Sequence, residues 1–321
     1  MIVVTGAAGF IGSCIVAQLN NLGRTDLILV DHLDDDAKKA NFEKKKFTQY
    51  LDKKDFLELV KKNQLPKSIE SLIHMGACSS TTLDDAKYYE ENNFQYTLTL
   101  AQWALNQGIR FIYASSAATY GDGSHGYKDE DATTRACQPL NLYGKSKQKF
   151  DLWVLDRGWN NKMAGLKFFN VFGPNEYHKG DMRSVIAKSY ERVVGEGKIR
   201  LFKSYDSAYK DGEQKRDFIY VKDAVDVVLY FEKNLKINGI FNVGTGEARS
   251  WNDLARALFS AVGRKPHIEY FDMPENLRAR YQYFTQADIS KLRESGYKKS
   301  FTSLESAVKD YVSYLKNGRY F

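Results

Sequence analysis

Short apolar runs alternate with longer amphipathic segments through the first half of the chain. The apolar runs are typical of buried strands, and the segments between them carry apolar residues at helical spacing. Strands and helices in alternation predict parallel strands with helices on both faces of the sheet. The predicted strands cover residues 2–4, 26–30, 71–74, 111–115 and 164–169, a weaker strand and a helix share 47–64, and the other helices cover 10–22, 84–106 and 143–157.

The regular alternation weakens after residues 173 and 174. The pattern there predicts helices over 181–196, 224–231 and 251–262, strands over 217–221 and 240–243, and a polar loop over 203–214. Because this part departs from the strand–helix repeat, we assign it to a smaller α/β substrate-binding domain. The predicted boundaries are 1–170 for the first domain, with a return of the chain at about 216–245, and 171–215 with 246–321 for the second.

The composition favours a globular protein and argues against several classes of partner. The 321 residues are 43% hydrophobic and 27% charged, with a net charge of +7. The lysines are mixed with acids and form no basic stripe, so no nucleic-acid partner is predicted. No apolar run is long enough to span a bilayer, the chain starts in a strand pattern without a signal segment, and the three cysteines have neither disulfide nor metal-ligand spacing. These features predict a cytoplasmic protein without a metal site.

Three glycines follow the first predicted strand and open the first helix. Gly6 permits a tight turn, Gly9 allows backbone N–H groups to approach a pyrophosphate, and Gly12 allows close packing of helix and strand. The N-terminus of the helix then faces the phosphates. Asp31 ends the second strand, 19 residues after Gly12, where a carboxylate binds the adenosine ribose. Of the two folds compatible with the alternation, a doubly wound sheet and a closed barrel, this turn favours the doubly wound Rossmann sheet with bound NAD(P).

The charges near Asp31 leave the choice between NAD and NADP open. An acidic residue at this position favours a free ribose 2′-hydroxyl, as in NAD. Lys38 and Lys39 lie shortly after it, and Lys53 and Lys54 follow a little further on. Either pair could neutralise the 2′-phosphate of NADP, and each lysine taken alone could equally be a solvated surface residue.

Tyr143 and Lys147 form a Y-x-x-x-K pattern at the start of a predicted helix. This spacing places the phenol and the ammonium on one helix face. Tyrosine titrates near ~10, so a proton acceptor near neutral pH needs positive charge to stabilise its phenolate, and Lys147 and a bound nicotinamide would supply that charge. Ser116 follows the strand predicted over 111–115, at the edge where such sheets bind ligands. The three side chains are the predicted proton-transfer set.

These motifs, with those at 216–223 and 242–246, resemble the extended short-chain dehydrogenase/reductase superfamily of nucleotide-sugar enzymes. Narrower segments resemble one of its families, the ADP-L-glycero-D-manno-heptose 6-epimerases, over nearly the whole chain. They are GACSSTT at 76–82, NNFQY at 92–96, FNVFGP at 169–174, HKG at 178–180, RYQ at 280–282 and FTQAD at 284–288. The resemblance implies interconversion of the two C6 epimers of an ADP-linked heptose for the lipopolysaccharide core, tightly bound NADP, and a homo-oligomer with a pentamer as the expected form.

The resemblance also implies a set of site residues. Tyr143 and Lys179 are expected to be the two acid/base groups, because the hydroxyl proton is exchanged at two places during inversion. The expected cofactor contacts are Gly6, Gly9, Phe10, Ile11, Gly12, Asp31, His32, Lys38, Lys53, Met75, Gly76, Ala77, Cys78, Ser79, Asn92, Lys147, Val171 and Lys179. The expected substrate contacts are Ser116, Asn170, Asp181, Lys188, Phe202, Lys203, Ser204, Tyr205, Arg216 and Tyr281.

The chain departs from the usual residues of this family at several positions. Met75 stands where the family often has Glu, Asp181 where Ser is common, and Lys188 where His is common. The loop at 205–214 also looks longer than usual. A cofactor contact at Met75 can be made through the backbone, whereas the side-chain contacts of Asp181 and Lys188 with substrate stay open.

Arg216 opens the motif at 216–223 and has two possible roles. The guanidinium fork binds phosphate oxygens in a bidentate way, which suits the diphosphate of a nucleotide sugar. Alternatively, Arg216 forms an ion pair with Asp217 or Asp223, which follow it in the sequence. The sequence is compatible with both roles.

Other functions on the same scaffold are the alternatives. A nucleotide-sugar 4,6-dehydratase carries an Asp-Glu pair after its catalytic Ser or Thr, and the two alanines that follow Ser116 argue against it. A 4-reductase or a UDP-hexose 4-epimerase is closer, and a 4-epimerase requires no second base at Lys179. The last alternative is a non-catalytic dinucleotide-binding protein, against which the intact Ser116, Tyr143 and Lys147 argue.

Overall fold

The computed structural model describes residues 1–33, 36–278 and 281–321. Arg280, the first residue of the RYQ segment, lies outside the described residues. The described strands are β1 (Ile2–Thr5), β2 (Leu27–Asp31), β3 (Gln49–Asp52), β4 (Ser71–His74), β5 (Arg110–Ser116), β6 (Ala164–Phe168), β7 (Asn170–Phe172), β8 (Ile199–Phe202), β9 (Lys215–Tyr220), β10 (Gly239–Val243), β11 (Ala248–Ser250) and β12 (Ile268–Phe271).

Helices connect most of these strands. The described α-helices are α1 (Phe10–Asn21), α2 (Asp36–Ala40), α3 (Lys53–Lys61), α4 (Ala86–Tyr89), α5 (Tyr96–Asn106), α6 (Asp131–Ala136), α7 (Leu142–Asp156), α8 (Val185–Glu196), α9 (Val221–Lys233), α10 (Trp251–Ala261), α11 (Glu275–Arg278), α12 (Ser290–Glu294) and α13 (Leu304–Asn317). A π turn, Glu90–Gln95, joins α4 to α5, and 3₁₀ turns cover Ala117–Tyr120, Trp159–Asn161 and Tyr177–Met182. None of the described helices combines the length and the apolar character needed to cross a bilayer.

Seven strands form one parallel sheet in the order β10-β6-β5-β4-β1-β2-β3. The chain runs from β1 outward to β2 and β3, then crosses back to β4 on the other side of β1. The strand order therefore reverses between β1 and β4, and ligands bind at such a reversal, beyond the carboxyl ends of the strands. The predicted doubly wound Rossmann sheet is confirmed.

The two faces of this sheet pack against different helices. Ile2 and Val4 belong to the apolar core that includes α1 and α9, whereas Val3 belongs to the core that includes α3, α5 and α7. Successive side chains of a strand point to opposite faces, so a strand covered on both sides is apolar throughout. The continuous apolar runs in the sequence have this origin.

The second half of the chain adds two small sheets. β9 pairs in parallel with β7 and antiparallel with β11, and β8 pairs in parallel with β12. Within the predicted return of the chain at about 216–245, β9 joins a small sheet and β10 pairs with β6 at the edge of the large sheet, and the return to the first domain stays a prediction. The proposed domain boundaries stay a prediction.

Two predicted helices differ from the structure. The helix predicted over 181–196 begins at Val185, because Ser184 caps α8 by accepting a hydrogen bond from the Ala187 N–H at 3.2 Å. Residues 177–182 form a separate 3₁₀ turn before this cap. The helix predicted over 84–106 contains the π turn, which hydrophobic spacing does not reveal.

Candidate active site

The turn between β1 and α1 leaves no space for side chains at its glycines. Gly6 has a φ of +65°, and a Cβ there would lie 2.7 Å from the backbone nitrogen of Gly76. A Cβ on Gly12 would lie 2.0 Å from the carbonyl oxygen of Gly6. Gly9, which has no side chain to cap the helix, stands at the N-cap of α1, so the N–H groups of the first turn are available to a phosphate. The turn therefore fits the pyrophosphate of a dinucleotide.

Asp31 ends β2 with its carboxylate held by backbone groups. Its Oδ2 accepts a hydrogen bond from the Ala8 N–H at 2.8 Å, and its Oδ1 accepts one from the His32 N–H at 2.7 Å. Nζ of Lys38 lies 3.4 Å from Oδ1. Asp31, which favours NAD, and Lys38, which could neutralise the 2′-phosphate of NADP, therefore lie next to each other.

A cleft of about 740 Å³ lies beyond the carboxyl ends of the central strands. Among the predicted cofactor residues, those in its wall are Gly6, Gly9, Phe10, Ile11, Gly12, Asp31, Lys38, Met75, Gly76, Ala77, Ser79, Lys147, Val171 and Lys179. An adjoining cavity of about 260 Å³ shares part of this wall and adds His32, Lys53, Cys78 and Asn92. Every predicted cofactor residue lines one of the two cavities, and the contacts themselves stay predictions.

Asn93, a buried residue of the π turn, holds the segment 75–79 in place. Its Oδ1 accepts from the Cys78 N–H at 2.8 Å, and its Nδ2 donates to the Cys78 carbonyl at 2.9 Å and to Oγ of Ser146 at 2.9 Å. Asn93 therefore connects a wall of both cavities to α7, and π turns are frequent at functional sites. Sequence reasoning missed this role, although the NNFQY segment contains the residue.

Tyr143 and Lys147 stand in the first turns of α7 and share the cleft with Ser116. Asn141 caps the helix, with its Oδ1 accepting from the Gly144 N–H at 2.8 Å. Lys147 is buried, and its Nζ donates to the carbonyl of Ala114 at 2.8 Å. The structure thus brings together the three residues of the predicted proton-transfer set.

Burial changes the pKa of two members of this set. Burial lowers the pKa of Lys147 to about 8, against the attraction of Asp151. Burial also raises the pKa of Tyr143, and a hydrogen bond with Ser116 offsets only part of that rise. Lys147 is itself desolvated and donates to a backbone carbonyl, so without cofactor the pKa of Tyr143 lies above its ordinary value. The expectation that Lys147 and a bound nicotinamide together lower this pKa stays a prediction.

One turn further along α7, Asp151 is fully buried and joins three elements. It accepts from Nζ of Lys167 at 2.8 Å, from Oγ of Ser115 at 2.7 Å and from the hydroxyl of Tyr113 at 3.0 Å. Its partners lie on β6 and β5, so the carboxylate ties α7 to the strands beneath the cleft. Buried charges of this kind are stable only when paired and hydrogen-bonded.

The 3₁₀ turn Tyr177–Met182 brings Lys179 into the same cleft. Nζ of Lys179 lies 5.3 Å from the ring centroid of Phe10, at the start of α1. Burial lowers the pKa of Lys179, and the negative charge of Glu176 opposes that change. A lysine with a lowered pKa is neutral, and able to accept a proton, nearer to neutral pH. His178, the first residue of the HKG segment, also lines the cleft.

The predicted substrate residues fall into two groups. The cleft wall contains Ser116, Asn170, Asp181 and Lys188. The other predicted residues lie outside that wall: Phe202, Lys203, Ser204, Tyr205, Arg216 and Tyr281. Trp251 connects the groups, because it lines the cleft and donates its Nε1–H to the hydroxyl of Tyr281 at 3.0 Å. No sequence motif pointed to Trp251, Met182 or Arg183, which are also part of the wall.

Arg216 lies against two aromatic rings. Its guanidinium carbon is 5.1 Å from the ring centroid of Tyr281 and 5.8 Å from that of Trp251. Among the described residues, neither Asp217 nor Asp223 pairs with it, because each carboxylate accepts hydrogen bonds from a threonine instead. The ion-pair interpretation is therefore wrong. Burial lowers the pKa of Arg216, and a buried guanidinium stacked on rings suits an anionic ligand.

The loop after β8 contacts residues that follow β12 in the sequence. The hydroxyl of Tyr205 donates to Oδ1 of Asp272 at 2.7 Å, and Nζ of Lys203 lies 3.3 Å from the same atom. The guanidinium of Arg278 stacks over the Tyr205 ring at 3.8 Å. The Ser204 N–H donates to the Asp211 carboxylate at 2.7 Å, inside the polar loop that the sequence predicts.

Known proteins resemble this chain along its whole length. The sequence profile of the NAD dependent epimerase/dehydratase family matches residues 2–244. An ADP-L-glycero-D-manno-heptose-6-epimerase of Nitratidesulfovibrio vulgaris is 52% identical over 312 residues, which is 97% of each chain. The crystal structure of the Helicobacter pylori ADP-L-glycero-D-manno-heptose-6-epimerase superposes with a TM-score of 0.81 at 27% identity, over 98% of this chain and 96% of that one.

A fourth comparison is with an epimerase of a different nucleotide sugar. The crystal structure of the Thermotoga maritima UDP-glucose 4-epimerase with UDP-glucose superposes with a TM-score of 0.80 at 26% identity, over 99% of both chains. The resemblance read from the motifs is confirmed, and the cofactor is a nicotinamide dinucleotide. The chain belongs to the NAD dependent epimerase/dehydratase family, and within it to the ADP-L-glycero-D-manno-heptose-6-epimerases.

Proposed function

We propose that the protein is an isomerase that converts ADP-D-glycero-D-manno-heptose to ADP-L-glycero-D-manno-heptose, a precursor of the lipopolysaccharide core. One observation carries the proposal: two side chains able to exchange a proton, Tyr143 and Lys179, line the cleft that begins at the glycine turn. A one-base enzyme needs only Tyr143. The full-length similarity to heptose epimerases supports the same substrate.

Inversion at C6 through a ketone explains why two groups are needed. A bound nicotinamide would supply a hydride acceptor for C6 and would return the hydride to the ketone. Inversion requires the sugar end to present its opposite face between the two half-reactions. The C6 oxygen therefore loses its proton to one side chain and regains a proton from another. Tyr143 and Lys179 each serve one orientation, and the net reaction consumes no second substrate.

The chain prepares the two groups in different ways. Ser116, which hydrogen-bonds Tyr143, would bind the same substrate oxygen. The raised pKa of Tyr143 keeps its phenol protonated until the charge of the cofactor favours the phenolate. The lowered pKa of Lys179 makes its amine available as an acceptor, and its ammonium returns the proton as a general acid.

The two groups of substrate residues correspond to the two ends of the substrate. Asn170, Asp181 and Lys188 line the cleft beside the proton-transfer set and suit the polar heptose. Arg216 lies beyond Trp251 and suits the diphosphate, because its fork binds phosphate oxygens. With the predicted contacts of Phe202, Lys203, Ser204, Tyr205 and Tyr281, this second group would hold the ADP part.

NADP is the proposed form of the cofactor. Lys38 and Lys53 line the smaller cavity beside Asp31, where they would neutralise a 2′-phosphate. A homo-oligomer, with a pentamer as the expected form, and a cytoplasmic location belong to the same proposal. Denaturing the purified protein and chromatographing the supernatant should release NADP(H). Release of stoichiometric NAD(H) would overturn the NADP assignment and leave the fold untouched.

Incubation with ADP-D-glycero-D-manno-heptose, without added cofactor, tests the reaction. The wild-type protein should form the C6 epimer, followed by NMR of the heptose. Lys179→Met should nearly abolish this conversion, because the second half-reaction loses its acid. If Lys179→Met epimerises at a near wild-type rate, a one-base sugar epimerase is the better assignment.

An analogue with an aldehyde at C6 separates the half-reactions. One molecule can be reduced while another is oxidised, so this dismutation needs no reorientation. Tyr143→Phe and Lys179→Met should each keep part of it, because one base remains, and the double variant should lose it. Groups that act together are not additive, so the double variant and not the sum of the single variants carries the inference.

A further inference from the structure

Three residues that precede Lys179, with His178 between them and Lys179, fix the position of its turn. They are Asn175, Glu176 and Tyr177, and the Lys179 N–H donates to the carbonyl of Glu176 at 3.0 Å. A shift of this stretch therefore moves the backbone of Lys179 with it. The stretch is itself held by residues 319–321, which follow α13 in the sequence and lie next to it in space.

Asn175 is the main anchor. Its side chain is fully buried, with Oδ1 accepting from the Phe321 N–H at 2.8 Å. Its Nδ2 donates to the Phe321 carbonyl at 3.2 Å and to Oγ of Ser13 at 3.0 Å. The φ of Asn175 is 75°, a left-handed conformation that asparagine adopts more readily than most residues. One side chain thus connects residues 319–321 to α1, the helix that starts at the glycine turn.

Tyr177 makes the second connection. Its hydroxyl donates to the carbonyl of Arg319 at 2.9 Å, and its ring meets that of Tyr320 edge to face at 5.0 Å. Nζ of Lys45 also donates to the Phe321 carbonyl. Residues 319–321 therefore contact the segment before Lys179 through both backbone and ring atoms. Lys45 adds a hydrogen bond to Phe321.

We propose that residues 319–321 are a positioning element for Lys179 and set where the second acid/base group stands in the cleft. The backbone of the turn Tyr177–Met182 sets where the Lys179 side chain starts, and its Nζ lies 5.3 Å from the centroid of the Phe10 ring. Tyr143 stands on α7 and takes part in none of these contacts. The segment therefore supports one half-reaction and not the other. This inference rests on the proposed role of Lys179.

The test uses chains that end at Gly318, in backgrounds that keep a single base. In Tyr143→Phe only Lys179 supports dismutation of the C6 aldehyde, and in Lys179→Met only Tyr143 does. Removal of residues 319–321 should lower the rate by about 10²-fold in the first background, the usual effect of a misplaced group, and leave the second unchanged. A general loss of structure would lower both rates.

Asn175→Gly is the second variant, because it keeps the full chain, allows the left-handed backbone of this position and removes the side-chain hydrogen bonds. Lys316→Ala, on the exposed face of α13, is the matched control and should change neither rate. Retained cofactor and a cooperative unfolding transition above the assay temperature establish that each variant is folded. Equal losses in both backgrounds, or no loss in Tyr143→Phe, would overturn the positioning role. Normal epimerisation by full-length Lys179→Met would instead overturn the proposed function, and the inference with it.

Discussion

The cofactor turn and the proposed sugar side are built in different ways. On the cofactor side the chain acts through its backbone, with glycines so close to neighbouring atoms that a single added carbon would lie 2.0 Å from an oxygen. On the proposed sugar side it presents long side chains next to aromatic rings: Lys179 lines the cleft, and Arg216 lies outside the cleft wall, beyond Trp251. Changes on the first side should therefore damage the fold, whereas changes on the second should alter turnover in an intact protein.

Gly12→Ala should give the largest effect. The added Cβ meets the carbonyl of Gly6, a backbone atom that cannot move without disturbing the turn. Overpacking of this kind costs about 1–3 kcal/mol or more in the free energy of unfolding, and the variant should also lose its cofactor. Gly195→Ala, in α8 with open space around it, is the control and should stabilise by about 0.5–1 kcal/mol. Thermal unfolding and cofactor content measure both, and full cofactor occupancy in Gly12→Ala would refute the steric argument.

Tyr143→Phe tests the proposed proton acceptor on α7. The ring and its packing stay, while the proton acceptor is lost, so kcat should fall by ~10²–10⁴ with the fold and the cofactor content unchanged. Steady-state epimerisation and absorbance of the released dinucleotide measure the two quantities. An active Tyr143→Phe enzyme would show that the Y-x-x-x-K pattern is coincidental here.

Arg216→Lys should have a smaller effect, confined to the sugar side. Lysine keeps the charge but lacks the fork that would bind a diphosphate. The loss of one charged hydrogen bond should raise KM about tenfold. Cofactor content and unfolding temperature should not change. Arg256→Lys, at an exposed site on α10, is the matched control. A fall in kcat without a rise in KM would contradict the assignment of Arg216 to binding.

Lys147→Met should act on stability in the opposite direction and raise the free energy of unfolding of the cofactor-free protein. Burial lowers the pKa of Lys147 from 10.5 to about 8, so between these pH values the unfolded chain binds more protons than the folded one. The free energy of unfolding of the wild type therefore rises with pH across this window. In cofactor-free protein, Lys147→Met should be the more stable at pH 7, and its advantage should shrink from pH 8 to 10.5. A pH-independent difference in unfolding temperature would contradict this.

The same contrast explains which features of the structure can be predicted from the sequence and which cannot. β1, β4 and the glycine turn follow from local rules, because a strand buried on both faces is apolar throughout and a crowded turn admits only glycine. The pairing of β8 with β12 joins residues far apart in the chain, so no local pattern contains it. The π turn is similarly invisible, since it adds a residue without changing the apolar spacing on either side.

The sugar side was predictable only through the resemblance to a family. A lone lysine in a polar turn has no local signal for catalysis, and the place of Lys179 depends on contacts with residues 319–321. The aromatic surroundings of Arg216 likewise come from Trp251 and Tyr281, which are distant in sequence. The spacing of Tyr143 and Lys147 likewise does not reveal that burial raises the pKa of Tyr143 and lowers that of Lys147.

The pairing of β10 with β6 has a consequence for synthesis of the protein on the ribosome. β6 is buried along its whole length, yet its partner on one side follows only after residues 169–238 have been translated. Until then the nascent chain exposes an apolar strand with an unpaired edge, which is a template for aggregation. Translation that stalls within 169–238 should therefore yield insoluble fragments, and a chaperone that covers this edge during elongation should raise the yield of intact enzyme.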